Sequence, residues 1–279
     1  MALLLAAIPF PDIDPIIFEV GPLAVRWYGL AYILGFGIAY LALHRLIRNG
    51  SLRLTRETLP DLVSMAALGV VVGGRVGWWL VYRRADSAFT PWYEPFAIWH
   101  GGMSFHGGLV GVVVAVCVWS RRNRVPFWHV VDHMALVTPI GLFFGRIANF
   151  INAELVGRPT ALPWAIVFPG HSVGRHPSQL YEAVLEGPLL LALLLLTRGR
   201  ARRRDGRTAA AFLLLYGAFR FAVEFTREPD PQVGYIAFGW LTMGQLLSLF
   251  LVVAATWLLV RWRVVSGPPS GSAAPSVTS

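Results

Sequence analysis

Seven stretches of this chain stay apolar long enough to form the ~20-residue helices that a bilayer core requires. They are Leu23–Ile47, Asp61–Tyr82, Phe105–Trp119, Phe127–Phe150, Leu180–Thr197, Ala209–Phe225 and Ile236–Val260. Inside hydrocarbon no water satisfies the backbone, which is why such runs fold as helices. The composition agrees, with 56% hydrophobic and only 14% charged residues. The expected fold is an all-α integral membrane protein with seven transmembrane helices and a small outer cap.

Seven crossings put the termini on opposite sides, and the basic residues say which is which. The chain has no lysine; all 24 basic side chains are arginines. The loops after the first, third, fifth and seventh runs hold fifteen of them, against five in the opposite loops (Arg83, Arg84, Arg158, Arg175 and Arg227). The positive-inside rule then predicts an outer amino terminus and a cytoplasmic carboxyl terminus. Residues 1–22 read as an outer interfacial arm broken by Pro11, Pro15 and Pro22, and its opening MALLLAAIPFP is too short and proline-broken for a cleaved signal peptide. Residues 23–263 form the membrane domain, with 151–179 as an outer cap loop that includes a possible strand in WAIVF. Residues 264–279, rich in Ser, Pro and Gly, read as a disordered cytoplasmic tail.

Four arginines, Arg26, Arg75, Arg146 and Arg220, fall inside the runs, where a charge is expensive and usually paired or functional. Following the direction of each run places Arg26, Tyr28, Arg75, His106, Arg146, Asn149, Arg220 and Glu224 toward the outer side. Arg146 and Asn149 are three apart, and Tyr216, Arg220 and Glu224 four apart, so each set shares a helix face. Glycines four apart in GVVVGGRVG and HGGLVG let backbones approach closely. The pattern predicts a polar chamber opening toward the outer leaflet. Guanidinium groups stay charged in low dielectric and match phosphate oxygens bidentately, so a lipid headgroup is the simplest anion to place there.

Blander readings stand beside this one. Arg220 with Glu224 suits a structural ion pair, and Arg26 suits a side chain snorkelling to headgroups. A water-filled ion pathway or a lipid transporter is a further reading, although ion channels rarely need so many arginines with asparagine and tyrosine beside them, and no internal repeat of the kind found in many transporters is present. His129 and His133 have zinc-ligand spacing but lack the HExxH glutamate, and no nucleotide motif occurs. Neither a metal nor another cofactor is expected, nor a nucleic-acid partner. The single cysteine, Cys117, near the cytoplasmic end of the third run, reads as a packing residue.

Six segments carry a resemblance that covers nearly the whole chain in order: YGLAYILGF from Tyr28, GGRVG from Gly73, GGMSFHGGLVG from Gly101, GRIANFINAELVGR from Gly145, RHPSQLYEAVLEG from Arg175 and YGAFRFAVEFTREPD from Tyr216. The chain resembles the bacterial prolipoprotein diacylglyceryl transferases, seven-span proteins of the inner membrane. The resemblance implies transfer of a diacylglyceryl group from phosphatidylglycerol to the lipobox cysteine of a prolipoprotein, with release of glycerol 1-phosphate. It implies functional roles for Tyr28, His106, Arg146, Asn149, Glu154, Gly157, Tyr216, Arg220 and Glu224. His106, Arg146 and Arg220 are expected to carry the chemistry. Tyr28, Arg75, Asn149, Asn152, Glu154, Gly157, Tyr216 and Glu224 are expected to hold substrate or the groups that touch it. No cofactor is implied and nothing calls for a partner subunit, so a monomer is expected. The family stretch usually reads GRIGNFINGELWGR; here Ala148, Ala153 and Val156 stand where glycine, glycine and tryptophan are usual. If either alanine occupies a left-handed backbone position, strain is expected there.

Overall fold

The apolar runs form long helices because each offers the backbone complete internal hydrogen bonding. In the computed structural model, which describes residues 7–20, 23–81, 93, 103–201, 205–229 and 234–264, helices dominate. They are α1 (Trp27–Arg48), α2 (Thr58–Val81), α3 (Phe105–Arg122), α4 (Phe127–Ile151), α5 (Ser178–Val184), α6 (Leu190–Ala201), α7 (Arg207–Val223) and α8 (Met243–Val264). A π-helical segment, Leu185–Leu189, joins α5 to α6 without a break. Short strands complete the chain: β1 (Ile8–Pro9), β2 (Ile16–Val20), β3 (Leu23–Arg26), β4 (Ile166–Val167), β5 (Tyr235–Ala237) and β6 (Leu241–Thr242).

Five helical stretches are long and apolar enough to cross a membrane: Trp27–Arg48, Thr58–Leu80, Phe127–Ile151, Ser178–Arg198 and Met243–Trp262. The remaining two helices are shorter. α3 has 18 residues and ends in Arg121 and Arg122, and α7 has 17 and begins at Arg207. Large apolar side chains such as Leu41, Val110, Leu196 and Phe250 are exposed on these helices, as surfaces that meet lipid require.

Two of the expected helical runs start too early. Leu23–Arg26 is a strand paired antiparallel with Ile16–Val20, and α1 begins only at Trp27. Likewise Tyr235–Ala237 and Leu241–Thr242 pair as a hairpin ahead of α8. Its connection needs left-handed backbone at Phe238 and Gly239 (φ 55° and 69°), which no helix allows. The strand expected in WAIVF is present as Ile166–Val167, paired in parallel with Ile8–Pro9. Phe10 continues that contact, its ring lying 5.4 Å from Phe150 and 5.3 Å from the buried Phe168. The tail expected to be disordered, His100, and the loop arginines Arg83 and Arg84 lie outside the described residues.

The chain divides into two compact units, residues 39–134 and residues 1–38 with 135–279. In the first, α2 and α3 touch through glycines. A Cβ on Gly69 would lie 2.6 Å from the Gly111 carbonyl oxygen, and one on Gly73 would lie 2.7 Å from Gly111 Cα. Beside this seam Leu62, Val116, Trp119 and Val130 form a buried cluster, and Trp119 Nε1 donates to Asp61 Oδ2 at 2.7 Å. His129 Nε2 accepts the Arg53 backbone N–H at 3.1 Å, and His133 Nδ1 lies 2.7 Å from the His129 carbonyl oxygen. Arg121 Nη1 donates to Cys117 Sγ at 3.0 Å.

In the second unit, α4 stays helical through Pro139 and the α5–α6 rod bends at Gly187 (φ −97°, ψ −108°). A side chain there would strike Phe143, with Cβ to Cβ at 2.8 Å, so glycine lets the bent rod lie against α4. α7 meets α8 at Gly217, where a Cβ would come 2.9 Å from the Ser248 carbonyl oxygen.

Candidate active site

Three helical elements of this second unit bring opposite charges together at a buried seam. Arg146, one turn from the end of α4, sits between two carboxylates that are four residues apart on the α5 rod. Its Nε lies 2.7 Å from Glu182 Oε2 and donates to Glu186 Oε2 at 3.2 Å. The other Glu182 oxygen accepts from Arg227 Nη1 at 2.7 Å, just past the end of α7. Arg227 Nε in turn lies 3.6 Å from Glu224 Oε2, and Glu224 pairs with Arg220 one turn back. Thr242 donates to the second Glu224 oxygen at 2.8 Å, tying the β5–β6 hairpin to the same group. The result is one ladder, Arg146–Glu182–Arg227–Glu224–Arg220, with Glu186 as a side branch.

Glu186 joins it from the next turn of the rod. Glu182 and Glu186 are four residues apart, so they share a face of the rod, and the bend at Gly187 follows directly after them. Both glutamates are fully buried, whereas the Arg146 and Arg220 side chains keep 18% and 16% exposure. Both contacts of Arg146 use Nε, and the Arg220 pair uses Nη1. The remaining N–H groups of both guanidiniums make no hydrogen bond to the described residues. Removing one partner from such a buried pair costs about 3–5 kcal/mol, because a charge is left uncompensated.

The expected site residues divide between the units. Arg146, Asn149, Glu154, Gly157, Tyr216, Arg220 and Glu224 belong to the ladder or its border. Tyr216 lies one turn from Arg220, within electrostatic reach of Glu186 and Arg146. Asn149 is buried and its Nδ2 donates to Glu154 Oε2 at 3.3 Å. Gly157 is irreplaceable by size: a Cβ would sit 2.6 Å from His176 Cβ and 2.7 Å from the Thr226 carbonyl oxygen. The Asn152 side chain makes no hydrogen bond to the described residues. Tyr28, in the first turn of α1, accepts from the Tyr32 hydroxyl at 3.2 Å. Arg26 is exposed on β3. Arg75 and His106 belong to the unit of residues 39–134. Arg75 is buried with its guanidinium 4.7 Å from the Trp78 ring centre. His106 stands at the start of α3, next to the turn where Ser104 Oγ caps the Gly107 N–H at 3.2 Å; its side chain lies outside the described set.

Sequence reasoning missed Glu182, Glu186 and Arg227. The signal was present, since two carboxylates four apart inside an apolar run demand cationic partners on neighbouring helices. Arg227 and Arg158 read as loop residues, yet both turn inward. Arg158 Nε donates to the Arg227 carbonyl at 2.6 Å and its Nη2 to the Glu224 carbonyl at 3.3 Å. On the cap, burial and then the Arg158 guanidinium hold the His176 imidazole below its ordinary range.

The two alanine departures take opposite backbones. Ala148 is buried in helical α4, while Ala153 has φ 54°, in the left-handed region beyond the helix end. The turn closes there, Ala153 N–H donating to the Phe150 carbonyl at 2.9 Å and Glu154 N–H to the Asn149 carbonyl at 2.9 Å.

These helices and their buried ladder define a polytopic membrane protein with an ionic site at the helix ends. A family model described as prolipoprotein diacylglyceryl transferase matches residues 15–261, and the chain belongs to that family. A relative from Rhizobium meliloti, named phosphatidylglycerol–prolipoprotein diacylglyceryl transferase, is 50% identical over 93% of this chain and 95% of its own. Another of that name from Nitratidesulfovibrio vulgaris is 52% identical over 94% of this chain and 98% of its own. A third, from Agrobacterium fabrum, is 46% identical over 93% and 95%.

Proposed function

We propose that this chain transfers the diacylglyceryl group of phosphatidylglycerol to the lipobox cysteine of a prolipoprotein, the first step of lipoprotein maturation. The sulfur forms a thioether bond to the terminal glyceryl carbon as the carbon–oxygen bond to phosphate breaks. The electron pair stays on the phosphate oxygen and the thiol proton leaves. Glycerol 1-phosphate is the second product, and the phospholipid is itself the activated donor, so no cofactor takes part.

The observation that carries this reading is the bracing of Arg146 and Arg220 by carboxylates along one edge, with their other N–H groups unclaimed among the described residues. Guanidiniums fixed in this way present preorganised donors to a phosphate whose negative charge grows as the bond breaks. Asn149, Asn152 and Glu154 border that place from the end of α4 and the cap. Tyr28 and Tyr216 orient lipid oxygens, Gly157 admits the cap turn, and Glu224 holds Arg220. Arg75 adds a further cation for the headgroup. His106 takes the thiol proton, since an imidazole titrating around ~6.5 suits a thiol near ~8.5.

The same reading takes α3 and α7 as the sixth and seventh crossings of a bacterial inner membrane. Residues 23–263 form the catalytic domain of a monomer, with the amino terminus and the 151–179 cap outside and the carboxyl terminus in the cytoplasm. The test is purified protein, labelled phosphatidylglycerol and a lipobox peptide with or without its cysteine. Label is expected in the cysteine peptide only, falling at least about a hundredfold in Arg146→Ala and Arg220→Ala. Transfer at full rate with both arginines replaced would remove them from the chemistry, and a normal pH profile in His106→Gln would remove His106 as base.

A further inference from the structure

The ladder raises a question of charge that anion binding alone leaves open. Arg146, Arg220 and Arg227 carry three formal positive charges, and Glu182, Glu186 and Glu224 carry three negative ones. Just beyond them Arg158 and the exposed Glu154 add one charge of each sign. A site intended only for tight anion binding has no use for two fully buried carboxylates four residues apart. Holding them there costs desolvation that Arg146 and Arg227 only offset. Glu186 is the less committed of the two: among the described residues it pairs with Arg146, whereas Glu182 pairs with both Arg146 and Arg227. Its contact with Arg146 is also longer, 3.2 Å against 2.7 Å for Glu182.

The proposed reaction changes the charge of the bound phosphate. A phospholipid phosphodiester carries one negative charge, whereas the phosphomonoester left after carbon–oxygen cleavage carries nearly two at neutral pH. An uncompensated arginine cluster would bind the product more strongly than the substrate and be inhibited by it. We propose that Glu182 and Glu186 set the charge of this site so that it accepts a singly charged phosphodiester and rejects the doubly charged phosphomonoester, which speeds product departure. The inference rests on the transferase reading. It assigns these two glutamates a role in selecting between phosphate charge states; they do not touch the reacting atoms.

Repulsion between a buried carboxylate and a phosphate a few ångströms away exceeds 1 kcal/mol even at a protein-like effective dielectric of about 20, and it doubles for a dianion. The Glu186→Gln variant keeps the shape and removes the charge. Its inhibition constant for glycerol 1-phosphate against phosphatidylglycerol is expected to fall about tenfold or more. KM for the lipid should fall by a smaller factor, and Glu186→Asp should stay near the parent. Direct binding of glycerol 1-phosphate to the purified protein, followed by calorimetry, should tighten in parallel. A generally damaged site would weaken both ligands. Should Glu186→Gln not accumulate as folded protein, Glu182→Gln removes one of the same charges and carries the same test. An unchanged or raised inhibition constant in a folded variant that still transfers lipid would overturn the inference. If the parent protein itself formed no thioether product, the transferase reading would fall first, and that result is distinct.

Discussion

Two helix contacts in this molecule do the same job by different means. α2 and α3 associate through glycine backbones that leave no room for a single methyl group. α4, the α5 rod and α7 instead meet across a ladder of buried ion pairs. Lipid removes most of the hydrophobic force between helices, so each contact must rely on something else, close van der Waals packing in one case and polar pairing in the other. The difference teaches where chemistry can be placed. A glycine seam holds by backbone contact, whereas a ladder whose guanidinium edges are unclaimed among the described residues holds helices together and still has donors to offer.

The comparison is broken most severely by Arg227→Ala, which strips Glu182 and Glu224 of a shared partner. A loss of about 3–5 kcal/mol is expected. Hydrogen exchange should accelerate in α5 and α7 and stay unchanged in α2 and α3. Gly73→Leu is the converse experiment, with an overpacking cost of about 1–3 kcal/mol or more and faster exchange confined to α2 and α3. If either variant loosened both contacts equally, the two would not be independent.

A smaller pair sharpens the picture around α4. Ala153→Gly should stabilise by about 1 kcal/mol, since glycine alone adopts the left-handed turn without strain. Ala148→Gly, in the buried helix interior, should destabilise by about the same amount, and thermal melting in detergent reads both signs.

The smallest effect is the pH dependence of His176. Its depressed pKa means that the unfolded chain binds the proton more readily. The stability it contributes is complete above the unfolded value of about 6.5 and is lost as pH falls through the folded one. His176→Asn should flatten the slope of melting temperature with pH in that acidic window.

Much of the helical fold is legible in the sequence because hydropathy reports length directly. It does not report conformation, and so the segments Leu23–Arg26 and Tyr235–Thr242, apolar but folded as hairpins, read as extra helix. Arg146, Arg220 and Glu224 stood out because charges in apolar runs are rare. Glu182 and Glu186 are equally rare and four apart, so the sequence marks them as a pair on one face, but it does not say which arginines on other helices meet them. Arg227 and Arg158 lie beyond helix ends, where sequence has no means of distinguishing a side chain that turns inward from one that meets solvent. The resemblance placed both alanine departures in the right segment, and only backbone angles separated the comfortable one from the strained one.

The contact between Ile8–Pro9 and Ile166–Val167, with Phe10 set between Phe150 and Phe168, joins residues that leave the ribosome some 160 positions apart. The loop that carries β4 therefore closes late, when a segment made first finds one made much later. Anything inserted next to Ile8 would hang beside that closure, so affinity handles and reporters belong away from this segment.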